Sequence, residues 1–561
     1  MTIDTIPPGI ILIAVGLLLP LVSGVVRGAL VLLAPLTVLA MVWAVPDGPV
    51  LTLSFLGLDI TPLQGDNLSR LFAIIFSIMA FGGGLYALNQ SRVVELSAAF
   101  VYAGSAIGVV LAGDLITVLI FWEVMAVGST VVVWAAGSEL AYKSAQRYLM
   151  VHLLGGVVLM AGVIFHVSET GTAAFVAMQP DSLGTWLILV GFLVNAGAPP
   201  LSAWLPDAYP EGSYSGTVFL SAFTTKAAVY VLLRGFPGAE ILIFVGLYMV
   251  FYGIIYALLE NDMRRILAYS IVNQVGFMVT GIGIGTEMAL NGAAAHAFAH
   301  IIYKALLLMS AGAVLYMTGK RKCTDLGGLF RTMPLTMICG VIGALAISAF
   351  PWTSGFVTKS MINQAAADQH LVWAWFLLVA ASAGVFLHAG IKFPWFVFFQ
   401  KDSGLRPPEP PWNMRAAMIL FAAICIGLGV YPAPLYAILP YPVDYAPYTA
   451  AHVLNMLQLL LFAGLAFFVM LPLMKRTLTI SLDWDWLYRR LGSWIVDAVG
   501  QAITGTDRIF RYGCLRIVRH GLSWVRLHSG PEGALARTRS VGGMVPWVIG
   551  LLGISLILNF L

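Results

Sequence analysis

Ionisable side chains lodged in stretches that otherwise read as hydrocarbon are the first sign of what this chain does. Glu123 lies deep in the apolar run 116–127, with Asp114 only at its edge. Lys226 is equally central in the run 219–230. A charge at the membrane centre costs roughly 2.5–3.5 kcal/mol, so such residues persist where they are paired or used. A carboxylate at Glu123 either pairs with a base or exchanges a proton; the alternative is a hydrogen bond to a neighbouring helix. Burial lets a lysine such as Lys226 titrate, and a nearby carboxylate opposes that effect. Glu123 and Lys226 are therefore natural partners. Snorkelling of Lys226 to the interface is disfavoured by its central position. His296, His300 and Lys304 recur every four residues and share one helical face. Two imidazoles and an amine in a stripe suit a proton wire, because histidine changes charge near neutral pH. A structural polar stripe is the plainer alternative. A two-histidine metal site lacks a third ligand nearby, and the lysine would repel a cation. Lys359 follows a proline-broken span, with Asp368 and His370 towards an exit. His388 and Lys392, four residues apart in the next span, extend the series, although Lys392 is close enough to the span's end to snorkel.

The elements that must position these groups are transmembrane. Of 561 residues 60% are hydrophobic and 10% charged, against about 25% charged in soluble domains. The apolar runs are long and do not alternate, which selects helices over a barrel. About sixteen spans are expected, near 8–26, 28–45, 68–89, 94–112, 115–135, 146–168, 183–205, 214–235, 240–259, 263–284, 290–318, 335–369, 371–399, 413–431, 450–473 and 543–560. Short connections pack them as one bundle. The first run has no preceding basic residue and no small-residue cleavage site, so it reads as a span and not a cleaved signal. Arg264, Arg265 and Asp262 open a span and read as interfacial. The net charge of +4 carries no nucleic-acid signature. Four scattered cysteines and the lack of a phosphate loop leave no metal, redox or nucleotide motif, so no cofactor is expected. Pumping would then draw on an ion gradient or on a partner subunit.

Two spans are interrupted. One carries Asn195 before Pro199 and Pro200; the other carries Pro351 before Lys359. Proline breaks the helical ladder, and broken helices in both halves of a transporter point to inverted repeats around a midplane site. Further on, residues 475–539 hold eleven Lys or Arg against five Asp or Glu, together with Trp484, Trp486, Trp494 and Trp524. That reads as an interfacial amphipathic segment, placed in the cytoplasm by its positive charge; an ordinary solvated tail is the alternative. The expected regions are N-terminal helices (1–112), a first repeat region (113–260), a second (261–431), a further span (432–474), the basic segment (475–540) and a last span (541–561).

Taken in order, Phe121-Trp-Glu-Val, Trp204-Leu-Pro-Asp, the run 221–230 around Lys226, Asn261-Asp-Met-Arg-Arg, the run 296–306 and Gly355-Phe-Val-Thr-Lys-Ser form a pattern. It covers roughly 113–392 and resembles the D-type subunits of Mrp-type multisubunit cation/proton antiporters. More distantly, it resembles the antiporter-like subunits of respiratory complex I. The resemblance implies an all-α polytopic bundle of about fourteen core helices with two inverted five-helix repeats, and a chain of buried Glu and Lys across the midplane. It matches Glu123 to a lysine-paired glutamate, Lys226 to the central linking lysine, His296, His300 and Lys304 to a relay, and Lys359 to the terminal charged residue. One departure stands out: Asn195 occupies a place where the family usually has lysine, and asparagine carries no proton. Glu123 then meets Lys226 directly or through water past Asn195, or this half conducts sodium or serves only as structure. The resulting expectation is a non-enzymatic subunit of a plasma-membrane cation/proton antiporter, exchanging protons for sodium or another monovalent cation. Its expected partners are other subunits and the lipid bilayer. A proton-pumping module of a redox complex and a non-transporting structural subunit are the alternatives.

Overall fold

The computed structural model describes residues 6–472, 483–531 and 533–561. Among these, thirteen helices are long and apolar enough to cross a membrane, and three shorter apolar helices accompany them. The helical, many-span class expected from the sequence holds. The chain forms two compact units, residues 1–485 and 486–561.

The first unit opens with α1 (Pro8–Leu18) and α2 (Gly24–Ala44). A hairpin of β1 (Gly48–Phe55) and β2 (Leu58–Gly65) follows, which the sequence reading did not foresee. Its two-residue turn puts both Leu56 and Gly57 at positive φ, the geometry that suits the twist of paired strands. Next come α3 (Asn67–Tyr86), α4 (Val93–Leu111), α5 (Leu115–Trp134), α6 (Glu139–Thr170) and the short α7 (Leu183–Ala196). Beyond the first break lie α8 (Trp204–Ala208), α9 (Gly216–Leu220), α10 (Thr224–Gly235) and α11 (Ile241–Leu259). Then follow α12 (Met263–Ile284), α13 (Glu287–Thr318), α14 (Pro334–Ile347) and α15 (Ser354–Asp368). α16 (Val372–Val385) runs into π-helical turns over Phe386–Lys392 and Trp395–Phe399. α17 (Trp412–Val430), α18 (Ala433–Tyr436) and α19 (Ala450–Met470) complete the unit.

The two halves repeat. α5, α6 and α7 have 20, 32 and 14 residues; α12, α13 and α14 have 22, 32 and 14. One constant step of 148 residues carries the cap Asp114 to the cap Asp262, Glu139 at the start of α6 to Glu287 at the start of α13, and the closing Gly171 to Gly319. It also carries the isolated bridge between Asp114 and Ala174 onto that between Asp262 and Lys322. Asp114 and Asp262 do the same local work: each carboxylate accepts from backbone N–H groups in the first turn of its helix, at 2.8 and 2.9 Å respectively. Asp262 pairs with Arg321 at 2.7 Å and Arg265 with Glu260 at 2.9 Å, while Arg264 is buried and donates to Pro210 O and Ser213 O at 2.9 and 2.7 Å.

The second unit holds α20 (Ser493–Ser529) and α21 (Val541–Phe560). α20 is a 37-residue helix with Arg508, Arg511, Arg516, Arg519 and Arg526 along it. The expected basic segment starts at Lys475, and the span expected over 450–473 ends at Leu473; both residues lie outside the described residues.

Small residues let the bundle close. Gly246 of α11 and Gly276 of α12 each face the other's carbonyl: a Cβ added to either would lie 2.6 Å from that oxygen. Such backbone proximity is how membrane helices gain packing energy without a hydrophobic drive. Gly276→Val is expected to force these helices apart at about 1–3 kcal/mol. The check is the thermal-aggregation midpoint of the purified protein, and an unchanged midpoint would contradict the contact.

Candidate functional site

Three buried lysines, Lys226, Lys359 and Lys392, bond to carbonyls at a helix break or a helix end, and a fourth, Lys304, bonds to the middle of α12. Lys226 is fully buried, and its Nζ donates to Ser221 O at 2.5 Å and to Thr225 Oγ1 at 3.1 Å. Ser221–Phe223 separate α9 from α10, a third interruption that carries no proline or glycine to announce it. Lys359 is buried on α15, and its Nζ donates to Ile347 O, the last carbonyl of α14, at 3.1 Å. The same amine sits 4.5 Å from the centre of the Phe277 ring, a cation–π distance. Ala349 and Trp352, inside this break, both take positive φ. That strain is tolerated where surrounding structure enforces it, most often at working sites. Lys392 donates to Ala257 O, Leu258 O and Glu260 O at 2.8, 2.6 and 2.7 Å, closing the C-terminal end of α11. A cation there also answers the negative end of the helix dipole. Lys304 donates to Ser270 Oγ at 2.8 Å and Leu267 O at 3.3 Å on α12.

The imidazoles lie among these amines. His296 Nε2 meets Gln274 Oε1 at 3.1 Å, and its Nδ1 meets Thr358 Oγ1, next to Lys359, at 3.1 Å. Tyr303 OH donates to the same Gln274 oxygen at 3.1 Å. Both nitrogens of His300 are buried without a hydrogen-bond partner among the described residues. His388 Nδ1 meets Gly384 O at 2.8 Å, and its Nε2 is likewise unpartnered. Lys226, Lys304 and Lys359 all act electrostatically on His300. Lys304 lies within electrostatic reach of Lys226 and Lys359, and His388 within reach of Lys304, Lys359 and Lys392. These residues of α10, α13, α15 and the π-helical segment therefore form one electrostatically connected cluster.

Glu123 stands apart. Among the described residues no ion pair joins it to Lys226; its Oε1 has no hydrogen-bond partner and rests where a Cβ on Gly156 would be. It is half-buried beside a groove of about 400 Å³ between α4 and α5, lined by Ser97, Val101, Val127 and Val131. Asn195, the penultimate residue of α7, meets His152 Nδ1 through its Oδ1 at 2.8 Å. At this first break Trp204 Nε1 donates to Val194 O at 2.9 Å, so an indole meets the freed backbone where Lys359 does so at the second. Ser360 lines a cavity of about 620 Å³ in which Asn363, Gln364 and Asn455 are mixed with Trp375, Val379 and Phe462.

Three buried groups escaped the sequence reading. His152 and Gln274 are single polar residues within apolar runs, a signal that was present. Glu95 lies in the first turn of α4 and accepts from Ser213 Oγ, Ser215 Oγ and Gln90 Nε2 at 2.6, 2.6 and 3.1 Å; at the end of an apolar run nothing in the sequence marks it as buried.

A bundle of membrane-length helices that buries neighbouring amines and imidazoles in its interior is that of a multi-pass membrane protein of the antiporter-subunit type. The family described as NADH:quinone oxidoreductase/Mrp antiporter, TM, matches residues 112–384, and the chain belongs to it. It is 32% identical over 59% of its length to the D-type subunit of a Na(+)/H(+) antiporter from Alkalihalophilus pseudofirmus, covering 71% of that protein. It is 30% identical over 67% of its length to a probable A/B-type subunit of a K(+)/H(+) antiporter from Rhizobium meliloti, of which it spans only 41%. In fold it resembles a chain of the Mrp complex from a Dietzia species, with TM-score 0.69 and 22% identity, covering 81% of this chain and 100% of that one. It also resembles a chain of an archaeal membrane-bound sulfane sulfur reductase, with TM-score 0.72 and 21% identity, covering 98% of this chain and 99% of that one.

The carbonyl contacts of Lys392 give it a holding role that can be separated from charge transfer. Lys392→Met strips donors from three carbonyls at a helix end and is expected to cost roughly 1.5–3 kcal/mol. The check is the thermal midpoint of the purified protein, with Lys226→Met, which strips a single carbonyl, for comparison. An unshifted midpoint for Lys392→Met would remove the holding role.

Proposed function

We propose that this chain is the proton-conducting subunit of a multisubunit monovalent cation/proton antiporter in the plasma membrane, exchanging protons for sodium. The observation that carries the reading is the cluster of Lys226, His300, Lys304, His296 and Lys359, in which the three lysines are held by carbonyl and hydroxyl oxygens. No ion pair to a carboxylate is present at these lysines among the described residues. An amine bound by neutral acceptors can release its proton without leaving a carboxylate unpaired. Mutual repulsion then links the sites, because a proton arriving on one amine disfavours a proton on the next. The four-residue spacing on α13 advances about 6 Å per step along the helix axis. His388 extends the series, and Ser360, next to Lys359, lines a cavity through which it would open. Glu123, at its lateral groove, supplies the charge that a neighbouring subunit can meet.

A second reading is a proton-translocating module joined to a redox complex; the family description itself spans both kinds of assembly. The proteins that co-purify decide between them. Lys226→Ala is expected to reduce cation-dependent proton exchange in everted vesicles at least about tenfold, as for loss of a positioned proton carrier. Assembly with the other subunits should be retained. Exchange near the wild-type rate from an assembled variant would take Lys226 out of the mechanism.

A further inference from the structure

The constant step between the two halves places His152 in an unexpected position. The 148 residues that separate Glu139 from Glu287 and Gly171 from Gly319 also separate His152 from His300. The first half therefore carries an imidazole at the same place in its 32-residue helix as the second half carries the hub of the cluster.

The surroundings of His152 suit the same work. The ring is buried. Asn195 Oδ1 can only accept, so His152 Nδ1 carries the proton of that 2.8 Å hydrogen bond and Nε2 is left as the free acceptor. That Nε2 is buried and has no hydrogen-bond partner among the described residues, and the same holds for Asn195 Nδ2 and Glu123 Oε1. All three belong to one neighbourhood of α6. Glu123 Oε1 presses on Gly156, and Asn195 Oδ1 lies 3.7 Å from where a Cβ on Gly155 would be, each one turn beyond His152. Buried polar atoms in that number, without partners among the described residues, suit a site that takes up water.

One turn the other way, the Tyr148 ring lies 4.0 Å from the imidazole. Its OH donates to Ser129 Oγ at 2.9 Å and lies 3.3 Å from Thr224 Oγ1. Thr224 is 2.6 Å from Tyr102 OH, and the adjacent Thr225 hydroxyl receives the Lys226 ammonium. A line of polar groups thus runs along α6 from Glu123 past His152 to Lys226, across the gap that no ion pair fills among the described residues. The titratable groups around the ring are Tyr148 on its own helix, Glu123 on α5 and Tyr209 behind Trp204, whose indole is 4.6 Å from the imidazole and 5.7 Å from Tyr209. Arg147 and Asp207 form an ion pair with each other at 2.7 Å.

We propose that His152, its tautomer set by Asn195, is a proton-carrying group of the first half, lodged between Glu123 and Lys226. A proton reaches Nε2 from the Glu123 side, the imidazolium keeps its Nδ1–H bond to Asn195, and Nε2 gives the proton up towards Tyr148 and Thr224. The inference rests on the reading of the chain as a proton-translocating subunit.

The test uses the whole complex in liposomes. His152→Gln keeps an amide beside Asn195 but cannot carry a proton; it is expected to lower exchange about tenfold or more. Adding Asn195→Lys to His152→Gln returns a titratable amine to the same spot. It should restore exchange to within about threefold, with a more alkaline pH profile, as an amine titrates above an imidazole. Exchange by His152→Gln within about twofold of wild type at every pH from about 6 to 9 would overturn the proposal, because a positioning role alone predicts that result. If the wild-type complex exchanges no cation, the transport reading falls instead. His152 is then read by infrared difference spectra between about pH 6 and 8. Imidazole bands present in wild type and lost in His152→Gln uphold it, and their absence from wild type refutes it.

Discussion

The structure depends on how a buried ammonium is satisfied without a carboxylate. A helix interior offers a side chain few backbone acceptors, because its carbonyls are already bonded. This chain frees them by interruption. Lys226 takes an oxygen from the gap between α9 and α10, Lys359 takes the last carbonyl of α14, and Lys392 closes the end of α11. The breaks are thus coordination sites for amines. Hydrogen bonding to neutral oxygens holds the charged form, yet does not bind the proton as a carboxylate partner would. A carboxylate beside Lys226 would fix an ion pair, and removing the proton would then leave a buried unpaired anion. The neutral acceptors keep the site reversible.

That constraint explains which parts of the site were legible in the sequence. The residue types and their helical spacing were: His296, His300 and Lys304 share a face, and the prolines at 199, 200 and 351 mark two of the breaks. The partners were not. Ser221-Ala-Phe carries no proline or glycine, so the gap that holds Lys226 is visible only once the backbone is folded. Pairing Glu123 with Lys226 was the natural electrostatic reading of two lone opposite charges, but α6 stands at Glu123 and supplies Gly156 as its contact. The hairpin over 48–65 was also readable, since Leu51, Leu53 and Phe55 alternate with smaller or polar residues, but the weight of apolar runs drew attention to helices alone.

The repeat was legible only in part. Broken helices in both halves suggested it, yet apart from the caps and ends the residues that match at the 148-residue step are almost all apolar or small, such as Leu119 and Leu267, Gly128 and Gly276, and Ala145 and Ala293, and these carry little signal among apolar runs. Asp114 and Asp262 match, as do Glu139 and Glu287, Thr170 and Thr318, and Gly171 and Gly319. These are the positions where a helix must start or stop, so backbone geometry restricts them to a few residue types. Between them apolar positions can match through composition alone, and His152 and His300 are the one ionisable pair matched in mid-helix over 114–171.

The same step shows how the halves have come to differ. It sets Gly156 against Lys304, so the second half projects an amine from α13 towards α12 at the place where the first half has no side chain on α6. That space is filled from the opposite direction by Glu123 of α5. One architecture therefore presents a cation from one helix in one half and an acid from its neighbour in the other. A lysine at 156 would collide with the Glu123 carboxyl, and removing Glu123 would leave a void against α6. The two choices are consistent only together. With Asn195 in place of a further amine, positive charge is concentrated in the second half and at Lys226, while the first half offers an acid and an imidazole. On the proposed route a proton crossing between them would move from acceptors of one kind to acceptors of the other, and the polarity of the molecule along that line is set by residues that the fold repeat alone would leave symmetric.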